Sequence, residues 1–380
     1  MSFFKKIKKN KWILAMVLLI VIVAKEKKEI EYQYLKLVEF YKFHKVHYAK
    51  NLDFKKISDE KYFLNGKELR VTKYFSALLT DVNPGISYNT RQYIQFYKDK
   101  FFIIIGNGDI FFKLNQDSKD QQKISFKKIS SNLQSIIGKE YLKIYPNNIM
   151  HFLIDDRKVY VSYMKKKNDS CYYGELVVAN FDLNLLDFKP FYSINECNKK
   201  PGTFGGRLSS LNENSILYSV ADAGNKSKPQ SKKSLYGKIL KINKLNSAVS
   251  ILSSGLRDPQ GLFYSKEDNI IFSTDHGPIG GDEVNFQNLN QEKFVNFGWP
   301  ISSYGYHKPS ETESIMKKYP YRKFHKKYNF KEPLFHANKI SIPPTQIILA
   351  NSFIKFKDKK VLYFGSLGWL VKIDSDPFIS

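Results

Sequence analysis

The sequence predicts an all-β protein, a β-propeller preceded by an N-terminal membrane helix, and three observations predict it. From about residue 62 the chain is a succession of short β-branched and aromatic runs broken by Gly, Asn, Asp and Ser, as strands joined by turns require. Within that texture a unit recurs: a polar lead, a four- or five-residue apolar strand, a turn or loop, and a second strand alternating apolar with Lys, Asn or Asp. Ahead of both, a lysine-rich start runs into an uncharged apolar stretch.

Five copies of the unit are read, at 100–115, 157–182, 214–243, 269–286 and 359–374. The first four begin between fifty and sixty residues apart, and the fifth follows a longer gap that reads as an insertion near 301–340. This spacing suits four-stranded blades. Each blade buries its two faces against neighbours, so a ring is favoured. No helical period competes beyond residue 60.

Lys5, Lys6, Lys8, Lys9 and Lys11 precede the apolar run 12–24, the order of a secretory signal or signal anchor. The run is short for a spanning helix, but flanking lysines can snorkel, and Ile22-Val23-Ala24 is a poor small-x-small cleavage site. The expectation is an uncleaved anchor over 1–24 with its basic end cytoplasmic; a cleaved signal and a secreted chain are the alternative. Either places the remainder on the periplasmic or extracellular side. Residues 25–60, rich in Lys, Glu and Tyr, read as a helical or extended juxtamembrane stalk, and 61–380 as the propeller.

Composition narrows the function. With 42% hydrophobic and 15% aromatic residues the chain can bury a sizeable core and does not read as disordered. A formal net charge of +25 invites a nucleic-acid reading, yet the lysines are scattered and no recognised binding motif accompanies them, so nucleic acid is not an expected partner. Loose attraction to anionic lipid or acidic glycans is compatible with the charge. In an exported chain Cys171 and Cys197 either pair, closing a loop worth about 3 kcal/mol, or are two free buried thiols.

Four motifs carry the specific signal: Thr203-Phe204-Gly205-Gly206-Arg207-Leu208, Gly255-Leu256-Arg257-Asp258-Pro259-Gln260-Gly261-Leu262, Asp275-His276-Gly277-Pro278-Ile279-Gly280-Gly281-Asp282-Glu283-Val284-Asn285 and Asn296-Phe297-Gly298-Trp299-Pro300. In this order and spacing they closely resemble the soluble PQQ-dependent glucose and aldose sugar dehydrogenases, the glucose/sorbosone dehydrogenase family. The resemblance is good from about 200 to 305, weaker at 100–200 and 340–374, and absent before 60. It implies a six-bladed propeller holding PQQ over Ca²⁺ at the mouth of the central channel. There a histidine takes the proton of the sugar's anomeric hydroxyl while hydride passes to the quinone. Such chemistry needs a base near neutral pKa and a cationic, metal-bearing pocket.

Position by position, the resemblance assigns Arg257 to the arginine that contacts cofactor and reacting centre, against the ordinary reading of a surface ion-pair partner. Gly277 and Pro278 match the residues whose carbonyls bind Ca²⁺, and Asp282 a carboxylate near the same site. A Gly-Pro turn followed by Asp is also an ordinary blade connection. Thr203 stands at the family's catalytic histidine, and a threonine hydroxyl is no general base near pH 7. Asp258, at a cofactor-side position, replaces the usual Asn and adds a negative charge beside a tricarboxylate. Gly368 stands where the best-known glucose dehydrogenases place a PQQ-binding lysine, and their further PQQ-binding arginines fall beyond Ser380. His276 is either a replacement base or a hydrogen-bonded histidine in a tight turn. Tyr304 and Tyr306 either line the channel mouth or pack at a blade edge with the hydroxyl satisfied.

Five copies where the implied fold needs six leave the ring short of its C-terminal strands. Either the chain is a truncated product or strands from 62–98 close the ring in another way. The expected function is a membrane-anchored, exported quinoprotein aldose dehydrogenase-like protein, oxidising a sugar with PQQ and Ca²⁺ if another base replaces Thr203. The alternatives are a non-catalytic propeller that binds a glycan or protein partner, and a truncated, decayed family member.

Overall fold

The structure, a computed structural model, describes residues 50–64, 67–76, 92–114, 122–138, 149–199, 201–202, 204–350 and 361–366, with Lys27, Ile30 and Tyr34 besides. The apolar run 12–24, Thr203 and Gly368 lie outside the described residues. Among those described, no helix is long and apolar enough to cross a membrane.

The described strands form five sheets. The first contains β1 (Asn51–Leu64), β2 (Lys67–Phe75), β3 (Gln92–Tyr97), β4 (Lys100–Ile105), β5 (Ile110–Leu114) and β6 (Lys123–Ser131), in the order β2-β1-β6-β5-β4-β3. After the short helix α1 (Leu133–Ile137), the second sheet is built from β7 (Ile149–Asp155), β8 (Lys158–Asn168), β9 (Cys171–Asn180) and β11 (Lys189–Ser193). The intervening β10 (Leu185–Leu186) pairs in parallel with β6, stitching this blade to the first. The third holds β12 (Gly205–Asn212), β13 (Ser215–Val220), β14 (Lys238–Asn243) and β15 (Val249–Ser254). The fourth holds β16 (Pro259–Ser265), β17 (Ile270–Asp275) and β18 (Glu283–Asn288). Short β19 (Val295–Asn296) lies parallel to β15, and β20 (Phe335–His336) completes the fourth blade against β18. The described part of the fifth is the hairpin β21 (Pro344–Ala350) and β22 (Val361–Ser366).

The recurring unit coincides with the second and third strands of the first four blades, β4–β5, β8–β9, β13–β14 and β17–β18, and the described part of the last copy is β22. These strands read clearly because both faces are covered: Ser215–Val220 is buried at every position. Between blades the apolar side chains interdigitate. Phe102, Ile104 and Ile110 meet Phe152, Ile154 and Val161; Tyr160 and Leu176 meet Ile216 and Tyr218; Leu217 and Ile239 meet Leu262 and Ile271; Phe272 and Val284 meet Ile347. The leading strands β3, β7, β12, β16 and β21 approach one another in turn, which gives the all-β, propeller-like arrangement.

Two expectations are corrected by the strand pairing. Residues 62–98, where described, do not close a ring: β1, β2 and β3 all belong to the first sheet, with the β1–β2 hairpin added outside β6. The boundary drawn at 60/61 falls inside β1, so 51–60 are sheet. The insertion near 301–340 carries helix α2 (Glu313–Lys318), capped by Thr312, whose hydroxyl accepts the Ile315 amide. It also supplies β20, a blade strand that its polar surroundings hid.

Cys171 and Cys197 form a disulfide, which settles the choice the sequence left open. It ties the start of β9 to the loop after β11, beside reciprocal backbone bonds between Tyr172 and Asn198 of 2.9 Å each. Across a separation of 26 residues, loop closure stabilises the fold by about 3.5 kcal/mol in the chain-entropy picture.

Candidate functional site

The predicted site residues at 257–282 converge where the third and fourth blades present their loops. Arg257 precedes β16 and Asp275 ends β17, so antiparallel pairing brings them to one end of the blade. The Arg257 amide donates to Asp275 Oδ2 at 2.8 Å and the Asp258 amide to Asp275 Oδ1 at 2.6 Å. The guanidinium donates from Nη1 to the His276 carbonyl at 3.0 Å and lies 5.8 Å from the Trp299 ring centre. Trp299 is held in turn: its Nε1 donates to Asp222 Oδ2 at 2.8 Å, and the Asp222 amide donates to the Arg257 carbonyl at 2.8 Å. The resulting pocket is lined by Arg257, Asp275, His276, Gly277, Glu283 and Trp299, among others.

The turn after β17 is built around Asp282, which is buried. Its Oδ1 accepts the Gly277 amide at 2.8 Å, and its Oδ2 accepts the Ile342 amide at 2.7 Å and the Ser341 hydroxyl at 3.2 Å. Asp282 therefore clamps the turn and ties it to the approach to β21. Only glycine fits at 277, since a Cβ there would lie 1.9 Å from the Gly280 carbonyl oxygen. Gly281, at φ +66°, is closed in the same way by the Gly305 amide. Among the described residues no hydrogen bond ends on the carbonyls of Gly277 or Pro278. Two unclaimed carbonyls in a fixed turn fit a hard cation. The described residues contain no group of three or more His, Cys, Asp or Glu side chains able to hold a metal without them.

Carboxyl groups crowd this end of the blades, and burial favours their neutral forms. Burial pushes Asp275 up to about 7, against the lowering effect of the two amides it accepts. Burial also raises Asp222, and raises Glu283 well above the carboxylate range, with neighbouring Asp275 adding to the latter. Asp258 Oδ1 accepts from Gln260 Nε2 at 2.7 Å, which holds this carboxyl beside Arg257. The guanidinium charge of Arg257 acts on Asp222 and Asp275, lowering both against the effect of burial.

His276 is the turn histidine of the two readings. Its Nε2 lies 2.7 Å from the Pro344 carbonyl, which can only accept, so Nε2 carries a proton; Nδ1 lies 3.8 Å from Asp258 Oδ2. Tyr304 is packing: it is buried, stacks on His336 at 3.6 Å, and its hydroxyl donates to Glu332 at 2.8 Å. Tyr306 does border the turn, its amide donating to the Ile279 carbonyl at 3.0 Å, with Lys323 Nζ 4.4 Å from its ring centre.

Phe204 lies against the start of the loop that carries Asp222, the Ala221 amide donating to its carbonyl at 3.1 Å. Asp222 and Asp275 are the residues that reading by motif missed. Asp275 stood inside a quoted motif without a role, and Asp222 had only the loop signal of a following Gly224.

The glucose/sorbosone dehydrogenase family model matches residues 150–367, more than half of the chain. The aldose sugar dehydrogenase YliI of Escherichia coli is 26% identical over 168 residues, covering 39% of this chain and 43% of that protein. An uncharacterised Synechocystis protein, slr1608, is 30% identical over 145 residues, covering 32% and 34%. The match thus spans less than half the length of these curated relatives. A glucose dehydrogenase crystal structure superposes with a TM-score of 0.56 at 17% identity, covering 73% of this chain and 79% of that one. The soluble aldose sugar dehydrogenase of E. coli in its apo form gives 0.55 at 18% identity, covering 70% and 76%. At such identity the two superpositions speak for the fold alone, while the family model, matched over blades two to five and every described site residue, establishes that the chain belongs to the glucose/sorbosone dehydrogenase family.

Proposed function

We propose that the protein is an exported, membrane-anchored quinoprotein sugar dehydrogenase-like protein, whose pocket takes PQQ and Ca²⁺ and whose substrate class is an aldose. The observation that carries this reading is the placement of Arg257. Its peptide is fixed by Asp275, and its guanidinium is fixed between the His276 carbonyl and Trp299, at the edge of the turn whose Gly277 and Pro278 carbonyls are unclaimed. Gly277 and Pro278 would hold the cation, and Arg257 would face the anionic cofactor. When bound, PQQ would supply the hydride acceptor. The residues of the chain orient it: Asp282 keeps the turn closed, and Asp222 keeps the indole under the guanidinium. Anchoring through 12–24 and a periplasmic or extracellular propeller are part of the proposal, supported by the lysine-led apolar run and by the disulfide.

A second reading, a non-catalytic propeller that binds a glycan through the same pocket, is favoured by one specific observation. Thr203 stands at the base position, and His276 keeps Nε2 on Pro344 and turns Nδ1 towards Asp258. A thermal-melt titration of the purified chain with PQQ and Ca²⁺, separately and together, tests the main reading, because a ligand that binds only the folded state raises the midpoint. A rise that needs both ligands is the expected result. A cooperative melt indifferent to both would overturn it and leave the glycan-binding reading.

A further inference from the structure

The loop between β13 and β14 decides where Trp299 sits. Asp222 accepts its indole N–H, and Gln230 Nε2 donates to its carbonyl at 2.7 Å while exchanging bonds with Asn296. The loop is polar and closes on itself through small turns: Asn225 to Asp222, Lys228 to Asn225 and Ser231 to Lys228, each an amide-to-carbonyl bond of 3.0 or 3.1 Å. Such a loop has little apolar burial of its own to fix it, so its anchors matter.

Its central anchor is Lys228, a buried lysine. Nζ donates to Asn198 Oδ1 at 2.6 Å, lies 3.1 Å from Glu196 Oε1, and sits 4.0 Å from the centre of the Tyr236 ring. Glu196 and Asn198 are the two neighbours of Cys197. The lysine of the loop is therefore held by the residues flanking one half of the disulfide. On the other side, the carbonyls of Lys228 and Pro229 accept from Lys238 Nζ, at 3.1 and 2.6 Å, so a shift of Lys228 is felt in β14 as well.

We propose that Lys228 is a positioning residue that fixes the Trp299 wall of the pocket, and that it does so only while the Cys171–Cys197 disulfide is closed. The inference rests on the reading of this pocket as the functional site. Cys197 is exposed, so an external dithiol can reach it; exchange breaks the S–S bond, leaves two protein thiols and oxidises the dithiol to its own disulfide. Without that bond, Glu196 and Asn198 lose the covalent tie to β9 and are left with hydrogen bonds to Tyr172, Ser234 and Tyr236, which open far more readily, and the long lysine side chain gains rotamer freedom with them. The pocket wall would then be fully formed only in an oxidising compartment.

Hydrogen exchange of the full chain, followed by mass spectrometry, tests this. Reduction is expected to speed exchange of the amides at 222–231 at least tenfold, while β16 and β17 keep their rates. Lys228→Met is expected to show the fast rate with the disulfide intact, and reduction to add nothing further. Its fold should survive, since the abandoned Glu196 is about a third exposed (34%) and stays solvated. Lys228→Arg, which can still reach Glu196 and Asn198, should keep the slow oxidised rate. The proposal is overturned if reduction leaves 222–231 unchanged, if all blades speed up alike, or if Lys228→Met responds to reduction as the parent does. Failure of the cofactor titration with this coupling intact would sink the functional reading and leave the mechanical link standing.

Discussion

Asp275 accepts the backbone amides of both Arg257 and Asp258, so one buried carboxyl at the end of β17 fixes the peptide that presents the pocket's arginine. An amide in its place offers one acceptor and turns an N–H towards an N–H. Asp275→Asn is therefore expected to leave a buried donor unpaired and to cost about 1–3 kcal/mol. Urea unfolding of parent and variant checks it; an unchanged midpoint would show that the two amides find other partners.

The same carboxyl carries a pH signature. Burial raises its folded pKa from 3.8 to about 7, so between those values the native state keeps a proton that the unfolded chain has released. Its contribution to stability is thus complete below about pH 4 and declines as pH rises towards 7. Relative to Asp275→Asn, the parent should lose stability across that window, measured as the gap between their urea midpoints from pH 4 to 8. A gap independent of pH would contradict the assigned protonation.

If the Gly277–Pro278 turn holds Ca²⁺ as proposed, Gly277→Ala should break that site in a way that Asp282→Asn does not. The added methyl meets the Gly280 carbonyl and forces the turn open, an overpacking cost of about 1–3 kcal/mol. Asp282→Asn keeps a carbonyl oxygen for one amide and loosens the turn without filling it. The expected pattern is a lower melting temperature for both, with the Ca²⁺-dependent shift abolished in Gly277→Ala and only reduced in Asp282→Asn. An intact Ca²⁺ shift in Gly277→Ala would remove the Gly277 carbonyl from the metal site.

The sequence was most legible where both faces of a strand are buried. The apolar middles of β4, β8, β13 and β17 announced four blades, because nothing but a covered strand explains such short runs at that spacing. It was least legible at edges: β1 alternates charge with apolar residues, so Asp59 and Glu60, which pair with Arg70 and Lys73 across the hairpin, look like polar stalk when read linearly. At the site, the motifs located Arg257, Gly277, Pro278 and Asp282. They did not reveal that Asp282 spends both oxygens on protein donors, since hydrogen-bond partners at Ser341 and Ile342 lie sixty residues away. His276 was ambiguous for the same reason, its partner being the carbonyl of Pro344.

Restoring the family's base alone should not restore its chemistry. Thr203→His would supply a base but leave the Asp258 carboxyl, held by Gln260, next to Arg257 where the family resemblance has Asn. A carboxylate of the cofactor beside the Asp258 carboxyl would meet like charge, which opposes the hydrogen bonds that the guanidinium offers. Thr203→His is therefore expected to give no PQQ-dependent oxidation of glucose with an artificial electron acceptor. The double change Thr203→His with Asp258→Asn removes the opposing charge and keeps an acceptor for Gln260, so PQQ affinity, read by the thermal shift, should rise in the double variant over the single. Glucose oxidation by Thr203→His alone would show that Asp258 does not exclude the cofactor and that the missing base was the whole deficit.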